Sequence, residues 1–208
     1  MASLKKFTEL ATRNLLRHNE RTLSNPSNKD IDPSRFLENY SLSPIRPISS
    51  WDYFKNRKQQ LYCFNRSDVK VTASWVVTLP IDCPSEQEQD FFQTTYDFLC
   101  QRYGEENCIQ AIVHKDESGN PHLHFVFIPV ADDPKHGGEK ICANDVLNPK
   151  ELRCFHTDLQ RYLTLNNINA NVINGITKAQ GGSRSVRELK KERERTYQQQ
   201  YSLERSRW

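Results

Sequence analysis

The sequence predicts an α+β fold: a ferredoxin-like βαββαβ core with an antiparallel sheet, its helices on one face, and N-terminal and C-terminal additions. Apolar strand-like segments alternate with two segments of helical periodicity between residues 71 and 174. In the middle of this pattern, three histidines flank a Gly-Asn-Pro turn that folds the chain back on itself. In such a sheet, we expect the first and third strands of the core to be central.

The first half of the core is predicted as strand, helix and strand. Residues 71–79 alternate well enough for a half-buried strand. A helix begins near Ser85, whose spacing from Glu88 is that of a capping box, and ends at Gly104. Ile109–His114 is apolar on both faces, as expected of an interior strand.

The second half repeats the order. His122–Val130 is again apolar on both faces and predicts a strand. Asn148 is the predicted cap of a second helix, with Pro149 at its first position. Asn169–Ile173 is the predicted closing strand. The core therefore spans residues 71–174.

Two further regions flank this core. Residues 1–70 contain a predicted short strand and helix at Leu4–Arg17, and a basic helix that carries aromatic residues at Trp51–Phe64. Residues 183–208 predict a basic, polar C-terminal helix.

The net charge of +3 is unevenly distributed along the 208 residues. Residues 183–208 carry a surplus of +4 and residues 1–35 a surplus of +3, which leaves about −4 for the middle. Basic ends on a mildly acidic core are typical of a protein whose termini bind phosphates. A solvated, charged helix explains the C-terminal charges equally well.

The six cysteines are scattered without a C-x-x-C spacing, which favours a reduced, cytoplasmic protein over a disulfide framework. No apolar run approaches the roughly 18 residues that a membrane span needs. The N-terminus lacks the apolar segment of a signal peptide.

The three histidines of the turn predict a metal site. His122 and His124 share one face of a strand because side chains alternate, and a hairpin brings His114 beside them. Three imidazoles with a free position are typical of a catalytic metal site. Asp116 and Glu117 lie in the same turn, where either orients a ligand, acts as an acid or base, or only forms the turn.

A second polar constellation lies nearer the N-terminus. It consists of Arg17–Arg21, then Ser27–Arg35, then Asn39 and Tyr40. Its arginines and lysine supply phosphate-pairing donors, and His18 and Tyr40 are potential nucleophiles.

These two motifs, His-Asn-Glu-Arg with Asn-Lys-Asp-Ile-Asp-Pro-Ser-Arg and His-x-Asp-Glu with Pro-His-x-His, resemble the MobV (Pre/Mob) relaxases of mobilisable plasmids. The resemblance covers residues 13–130 and continues more weakly to about residue 190. It implies the HUH relaxase fold and an endonuclease that nicks one DNA strand at an origin of transfer. It also implies a covalent link between the enzyme and the 5′ phosphate.

The resemblance assigns roles residue by residue. His114, His122 and His124 are the expected ligands of a divalent metal, with Mn²⁺ first and Mg²⁺ or another divalent ion as alternatives. His18 is the expected nucleophile, and Glu117 and Arg21 match the family's other catalytic positions. The residues expected to contact DNA are Arg17, Asn19, Lys29, Arg35, Tyr40, Arg184, Arg187 and Lys190.

The expected partner is single- and double-stranded DNA at the origin, with no small-molecule cofactor. Residues 1–182 are the predicted relaxase domain, within which residues 1–70 carry the nucleophile and DNA-binding segment. Members of the family continue into a long C-terminal region, through which a homodimer is expected. Whether this chain is a catalytic domain alone is left open.

Two departures and three alternatives stay open. The turn between His114 and His122 (the metal turn) carries an extra residue within 118–120. The altered spacer after Ser34 leaves the role of Tyr40 open. A rolling-circle initiator or HUH transposase would use a tyrosine such as Tyr162, although Tyr162 lies in an apolar stripe. A tri-histidine metallohydrolase leaves the second motif unexplained. A non-catalytic DNA-binding module leaves unexplained why every expected catalytic residue is retained.

Overall fold

Five strands form one antiparallel sheet in the order β1-β3-β5-β4-β2. The computed structural model describes residues 2–23, 28, 30–135, 137–173 and 195. The strands of the sheet are β1 (Ala2–Phe7), β2 (Tyr40–Ser41), β3 (Thr72–Thr78), β4 (Cys108–His114) and β5 (His122–Phe127). The antiparallel sheet of the predicted α+β fold is confirmed, and β5 is its middle strand.

Five α-helices, three short 3₁₀ helices and a small second sheet complete the described part of the chain. The helices are α1 (Glu9–Asn19), α2 (Ser50–Gln59), α3 (Glu88–Tyr103), α4 (Ala143–Val146) and α5 (Pro149–Leu165). Strands β6 (Val130–Asp132) and β7 (Glu139–Ile141) pair with each other. Asn148 caps α5 as predicted, because its side chain accepts the N–H groups of Lys150 and Glu151.

The two faces of the sheet are covered by different helices. Trp75 and Phe125 face α3 and α5, where the Trp75 ring stacks on Phe155 with centroids 3.6 Å apart. Leu16 of α1 and Phe54 of α2 pack on the opposite face in a second apolar cluster. The helices of the predicted core therefore share one face, and the N-terminal helices cover the other. His122 and His124 lie on this second face, since they alternate with the core residues of β5.

The prediction of a closing strand at Asn169–Ile173 is wrong. Ala170 and Val172 are buried in the apolar cluster that contains Trp75 and Phe125 (the α3/α5 cluster). Their apolar alternation therefore reflects packing in this cluster and not strand pairing. The edge of β3 that a closing strand would use is occupied by β1, which pairs with it from Ala2 to Phe7. The N-terminal segment therefore completes the sheet.

The chain divides into two units, Met1–Ile173 and Asn174–Trp208. Of the second unit only Arg195 is described, so the predicted C-terminal helix and the DNA contacts at Arg184, Arg187 and Lys190 lie outside the described residues. Lys29 lies outside them as well. The predicted domain boundary after residue 182 stays a prediction. Among the helices described, none is long and apolar enough to cross a membrane.

Replacing Phe155 by alanine is expected to lower the free energy of unfolding by about 3–5 kcal/mol, because a buried aromatic ring is lost and a cavity remains. Urea unfolding followed by circular dichroism measures this change. Leu165→Ala on the same helix is the control, since Leu165 is 71% exposed and its loss should cost less than about 0.5 kcal/mol. Equal losses in the two variants would contradict the packing described for α5.

Candidate active site

The register of β4 against β5 brings the three predicted metal ligands together. His114 pairs directly with His122 across the two strands, and His124 follows two residues along the same face. The ring centroids lie 5.6 Å apart for His114 and His122, 4.7 Å for His114 and His124, and 5.0 Å for His122 and His124. One ligand nitrogen from each ring lies within 4.8 Å of the others. The hairpin predicted from the Gly-Asn-Pro turn is therefore confirmed.

The hydrogen bonds of the three imidazoles leave nitrogen lone pairs for a metal. His114 Nε2 donates to the carbonyl oxygen of Asn19 at 2.9 Å, and its buried Nδ1 has no hydrogen-bond partner among the described residues. His122 Nδ1 lies 3.3 Å from the carbonyl oxygen of Asn120, which leaves its Nε2 available. Both ring nitrogens of His124 are buried and unpartnered within the described part of the chain. Unpaired buried nitrogens are costly, and a divalent ion would satisfy one nitrogen of each ring.

The charges around the cluster also fit a divalent cation. Burial lowers the pKa of His114 to about 4 and holds the pKa of His124 well below its usual range. Both rings are therefore neutral at pH 7, the form that binds metals. Arg21, Asp116 and Glu117 lie beside them with a net charge of −1. A cation is thus attracted to the cluster.

Arg21 is held by two carboxylates at the rim of the cluster. Its guanidinium donates to both oxygens of Asp116, at 2.8 and 2.6 Å, and to Glu117 at 2.8 Å. Burial would raise the pKa of Asp116, but hydrogen bonds from Arg21 and Asn39 outweigh it and lower that pKa. Arg21 also donates to the carbonyl oxygen of His18 at 3.1 Å, so it links the end of α1 to the metal turn. Asp116 therefore holds the Arg21 side chain in place. The sequence alone does not distinguish this role from the other roles considered for Asp116.

His18 lies beside the metal cluster with Glu117 between them. Its side chain is 25% exposed, and its Nε2 is 3.9 Å from Glu117 Oε1. The same carboxylate approaches His114 Nδ1 and His122 Nε2 at 3.8 Å each. Burial, and then the charge of Arg21, lower the pKa of His18, which keeps its ring neutral at pH 7. The structure thus brings the predicted nucleophile, the predicted ligands and Glu117 into one site.

A buried polar network fixes the end of α1 against the sheet. Gln110 of β4 donates to Glu20 Oε1 at 2.6 Å and accepts from Asn19 Nδ2 at 3.2 Å. Asn19 is buried, and its carbonyl orients the His114 ring. The Asn19 side chain faces this network, and its contact with DNA stays a prediction. Gln110 was missed, although a glutamine within an otherwise apolar strand is a signal of such a network.

The Asn-Lys-Asp-Ile-Asp-Pro-Ser-Arg motif clamps the metal turn through its backbone. Ile31 forms a β-bridge with Glu117, and the Asp32 N–H donates to the Asp116 carbonyl oxygen at 2.7 Å. After the short 3₁₀ helix Pro33–Glu38, Asn39 Oδ1 accepts the N–H groups of Lys115 and Asp116 at 2.7 and 3.3 Å. Sequence reasoning missed this role of Ile31, Asp32 and Asn39.

The remaining predicted DNA contacts differ in their placement. Tyr40 pairs with Val113, packs against the α3/α5 cluster and has a buried hydroxyl, and burial raises its pKa to about 12. Tyr40 lies on the face of the sheet opposite the histidines, and its contact with DNA stays a prediction. Arg17 is exposed at the end of α1, and Arg35 is exposed in a 2.9 Å pair with Glu38.

Comparison with known proteins gives a consistent result. The model of the Mob_Pre family, described as plasmid recombination enzyme, matches residues 1–199. A plasmid recombination enzyme of Streptococcus agalactiae is 32% identical over 71% of this chain and 30% of its own length, and one of Lactiplantibacillus plantarum is 30% identical over 77% and 46%. The chain thus spans less than half of these relatives. The MobM relaxase domain bound to plasmid pMV158 oriT DNA, in a Mn-bound crystal structure, aligns over 92% of this chain and 97% of its own, with 28% identity and a TM-score of 0.75.

Mn²⁺ is expected to raise the melting temperature of the metal-free protein, because it binds the folded state only. Saturation at 100 times the Kd adds about 2.7 kcal/mol. Differential scanning fluorimetry with and without Mn²⁺ measures the shift. His124→Ala should abolish it, whereas His156→Ala should retain it, because His156 lies on α5 away from the cluster. A full shift in the His124 variant would rule out the three-histidine site.

Asp116→Asn is expected to destabilise the protein by about 3–5 kcal/mol, because it leaves the guanidinium of Arg21 buried without its main counter-charge. Guanidinium chloride unfolding at pH 7 gives the change in free energy. The matched control is Asp158→Asn, which breaks a more exposed pair with Arg102 and should cost no more than about 1 kcal/mol. Similar losses in both variants would show that Asp116 does not anchor Arg21.

Proposed function

This chain belongs to the plasmid recombination enzyme (Mob_Pre) family, and from that premise we propose that it is a relaxase. The proposed activity is site- and strand-specific nicking and rejoining of DNA at a plasmid origin of transfer. One observation carries the proposal: a neutral, partly exposed His18 faces a three-histidine cluster across the carboxylate of Glu117. A nucleophile next to a metal site is the arrangement that phosphodiester transfer requires.

The metal in this proposal is a divalent ion held by His114, His122 and His124, with Mn²⁺ the first candidate. Mn is bound in the related MobM relaxase domain. When bound, the ion supplies Lewis-acid polarisation of the scissile phosphate and neutralises charge on its non-bridging oxygens. Asn19 and Asn120 fix two of the imidazoles through their carbonyl oxygens, which keeps the ligand nitrogens directed at the site.

His18 performs the covalent step in the proposed mechanism. A nitrogen lone pair of the neutral ring attacks phosphorus, a nitrogen–phosphorus bond forms, and the bond to the 3′ oxygen breaks. That oxygen leaves with the electron pair and takes a proton from solvent water, and the 5′ phosphate stays on the enzyme. Glu117 stabilises the imidazolium formed in the attack, because its carboxylate lies beside the ring. Reversal of the same step rejoins the strand.

Arg21 acts in this mechanism as a positioning residue. Its guanidinium is engaged by Asp116 and Glu117, so it holds the Glu117 carboxylate in place and leaves little capacity for a phosphate. The exposed Arg17 is the better placed phosphate contact, since its side chain lies at the accessible end of α1.

The tyrosine alternatives are disfavoured by position. Tyr40 and Tyr162 both pack with the α3/α5 cluster, on the face of the sheet opposite the metal ligands. The Tyr162 hydroxyl accepts a hydrogen bond from Gln101 at 2.8 Å, which is a structural role. Neither hydroxyl reaches a phosphate held at the histidines.

We further propose that the enzyme acts in the cytoplasm on single- and double-stranded origin DNA. All six cysteines are free thiols, as a reducing compartment favours. The MobM relaxase domain is bound to oriT DNA in its crystal structures. Dimerisation through a C-terminal region stays a prediction.

His18→Ala is expected to abolish nicking while specific DNA binding changes little. The substitution removes the nucleophile but leaves intact the metal site and the contacts of Ile31, Asp32 and Asn39 with the metal turn. The substrate is a supercoiled plasmid carrying the DNA that flanks this gene, incubated with Mn²⁺. Agarose gels separate nicked from supercoiled plasmid, and denaturing gels detect a protein-linked strand.

Tyr40→Phe is the matched control and should nick at the wild-type rate. Persistent nicking by the His18 variant, together with loss of nicking in Tyr40→Phe, would show that a tyrosine is the nucleophile. If the wild-type protein does not nick at any Mn²⁺ concentration, the relaxase assignment is wrong.

A further inference from the structure

Two large apolar side chains are exposed on the 3₁₀ helix Pro33–Glu38. Phe36 is 46% exposed and its neighbour Leu37 is 92% exposed. No residue of this helix is buried, so the segment does not serve as core. A single exposed apolar residue is ordinary, whereas an adjacent pair next to a candidate active site indicates a contact surface.

Both ends of this helix are fixed to the turn that carries Asp116 and Glu117. Before the helix, Ile31 bridges to Glu117, and the Asp32 N–H donates to the Asp116 carbonyl oxygen at 2.7 Å. Immediately after the helix, Asn39 Oδ1 accepts two N–H groups of the same turn. The Asp32 side chain also caps the helix by accepting the Ser34 N–H at 3.0 Å. The pair is thus presented by a rigid element rather than by a loose loop.

The contacts of Ile31, Asp32 and Asn39 with the turn also limit how far the pair lies from the reacting groups. Leu37 is two residues before Asn39, so their Cα atoms are at most about 7 Å apart. Asn39 contacts the N–H groups of Lys115 and Asp116, and the next carboxylate along the chain, Glu117, lies 3.8 Å from two metal-ligand nitrogens. A DNA strand with a phosphate at the histidines therefore has its neighbouring nucleotides within reach of the 3₁₀ helix.

We propose that Phe36 and Leu37 bind an unpaired DNA base next to the scissile phosphate and so set the register of the strand against His18. The inference rests on the proposed relaxase function. A base presents a flat apolar face, and stacking on an aromatic ring contributes about 1–3 kcal/mol per base without requiring a particular sequence. Since the clamp has already ordered the pair, little conformational entropy is lost on binding.

The chemistry of the surface favours a base over an apolar protein segment. The apolar area consists of two side chains flanked by the exposed Arg35 and Glu38, which is small for a protein interface but sufficient for one base. Arg35 is held by Glu38 in an exposed ion pair, which contributes little stability and yields readily to a phosphate. An aromatic ring, an aliphatic side chain and an arginine together suit a single nucleotide.

A cycle between protein and DNA changes tests the proposal. Single-stranded oligonucleotides span the nick site mapped on the supercoiled plasmid, and each one carries an abasic site at a different position near the nick. Their Kd values are measured by fluorescence anisotropy with Mn²⁺ for the wild-type protein and for the Phe36→Ala/Leu37→Ala variant. The variant is expected to bind the intact strand roughly 5- to 100-fold more weakly.

At one or two positions, an abasic site should weaken wild-type binding by a similar factor and have little further effect in the variant. This loss of additivity identifies the contacted base, and a purely structural role for the pair would not produce it. Leu10→Ala is the matched control, because Leu10 is 78% exposed at the opposite end of α1 and its abasic losses should equal those of wild type. Unchanged melting temperatures show that both variants are folded.

Additive losses at every position, with wild-type nicking intact, would overturn this inference and leave the relaxase function standing. An intact-strand Kd for the variant within twofold of wild type would also overturn it. If the wild-type protein neither binds nor nicks the DNA, both proposals are wrong.

Discussion

The site depends on the register of one antiparallel strand pair. His114 can meet His122 and His124 only because β4 and β5 pair with His114 opposite His122, which places His124 two residues along the same face. A slip of one residue would move a histidine to the opposite face, since side chains alternate along a strand. The register is held by Leu123 and Phe125, which alternate with the histidines along β5 and are fully buried against α3 and α5. The apolar core on one face of the sheet therefore determines the metal geometry on the other.

The polar side of the sheet is organised by charges that the protein buries together. Arg21 lies between Asp116 and Glu117, so that none of the three groups is left without a counter-charge. Their net charge of −1, set beside three neutral imidazoles, makes the cluster most favourable when a cation is present. The same contacts connect the end of α1, which carries His18, to the turn that carries Glu117. Nucleophile and metal ligands thus share one rigid support.

Local features of the site could be predicted from the sequence, and long-range ones could not. The hairpin and the histidine face follow from a turn signal and from alternation over eleven residues, and both are confirmed. The sequence pattern predicts Asn169–Ile173 at the edge of the sheet, because no local signal distinguishes that segment from β1. Tertiary packing determines which apolar segment pairs with β3. Local sequence patterns carry no information about that packing.

Asn39 and Tyr40 show the same limit at the scale of one residue. Both belong to the same polar motif, and Tyr40 is among the residues expected to contact DNA. In the structure, Asn39 binds the metal turn while Tyr40 lies in the core, because neighbouring positions on an extended segment face opposite sides. The polar density of this motif is largely structural: its backbone and Asn39 hold a turn in place, and Asn19 plays a similar part at the end of α1. Residue types indicate that this motif belongs to the site. The roles of Asn39 and Tyr40 differ because their side chains face opposite sides, which only the fold shows.

The environment of His18 explains why a histidine suits the nucleophilic role at this position. Burial and the charge of Arg21 lower its pKa, so the ring is already the free base at pH 7. A tyrosine must first lose a proton with a pKa near 10, and burial makes that harder, as the rise of the Tyr40 pKa to about 12 shows. A neutral imidazole attacks phosphorus without prior deprotonation, and the positive charge it then acquires is balanced by the carboxylate of Glu117. The arrangement that keeps His18 neutral before attack therefore also provides for the charge that attack creates.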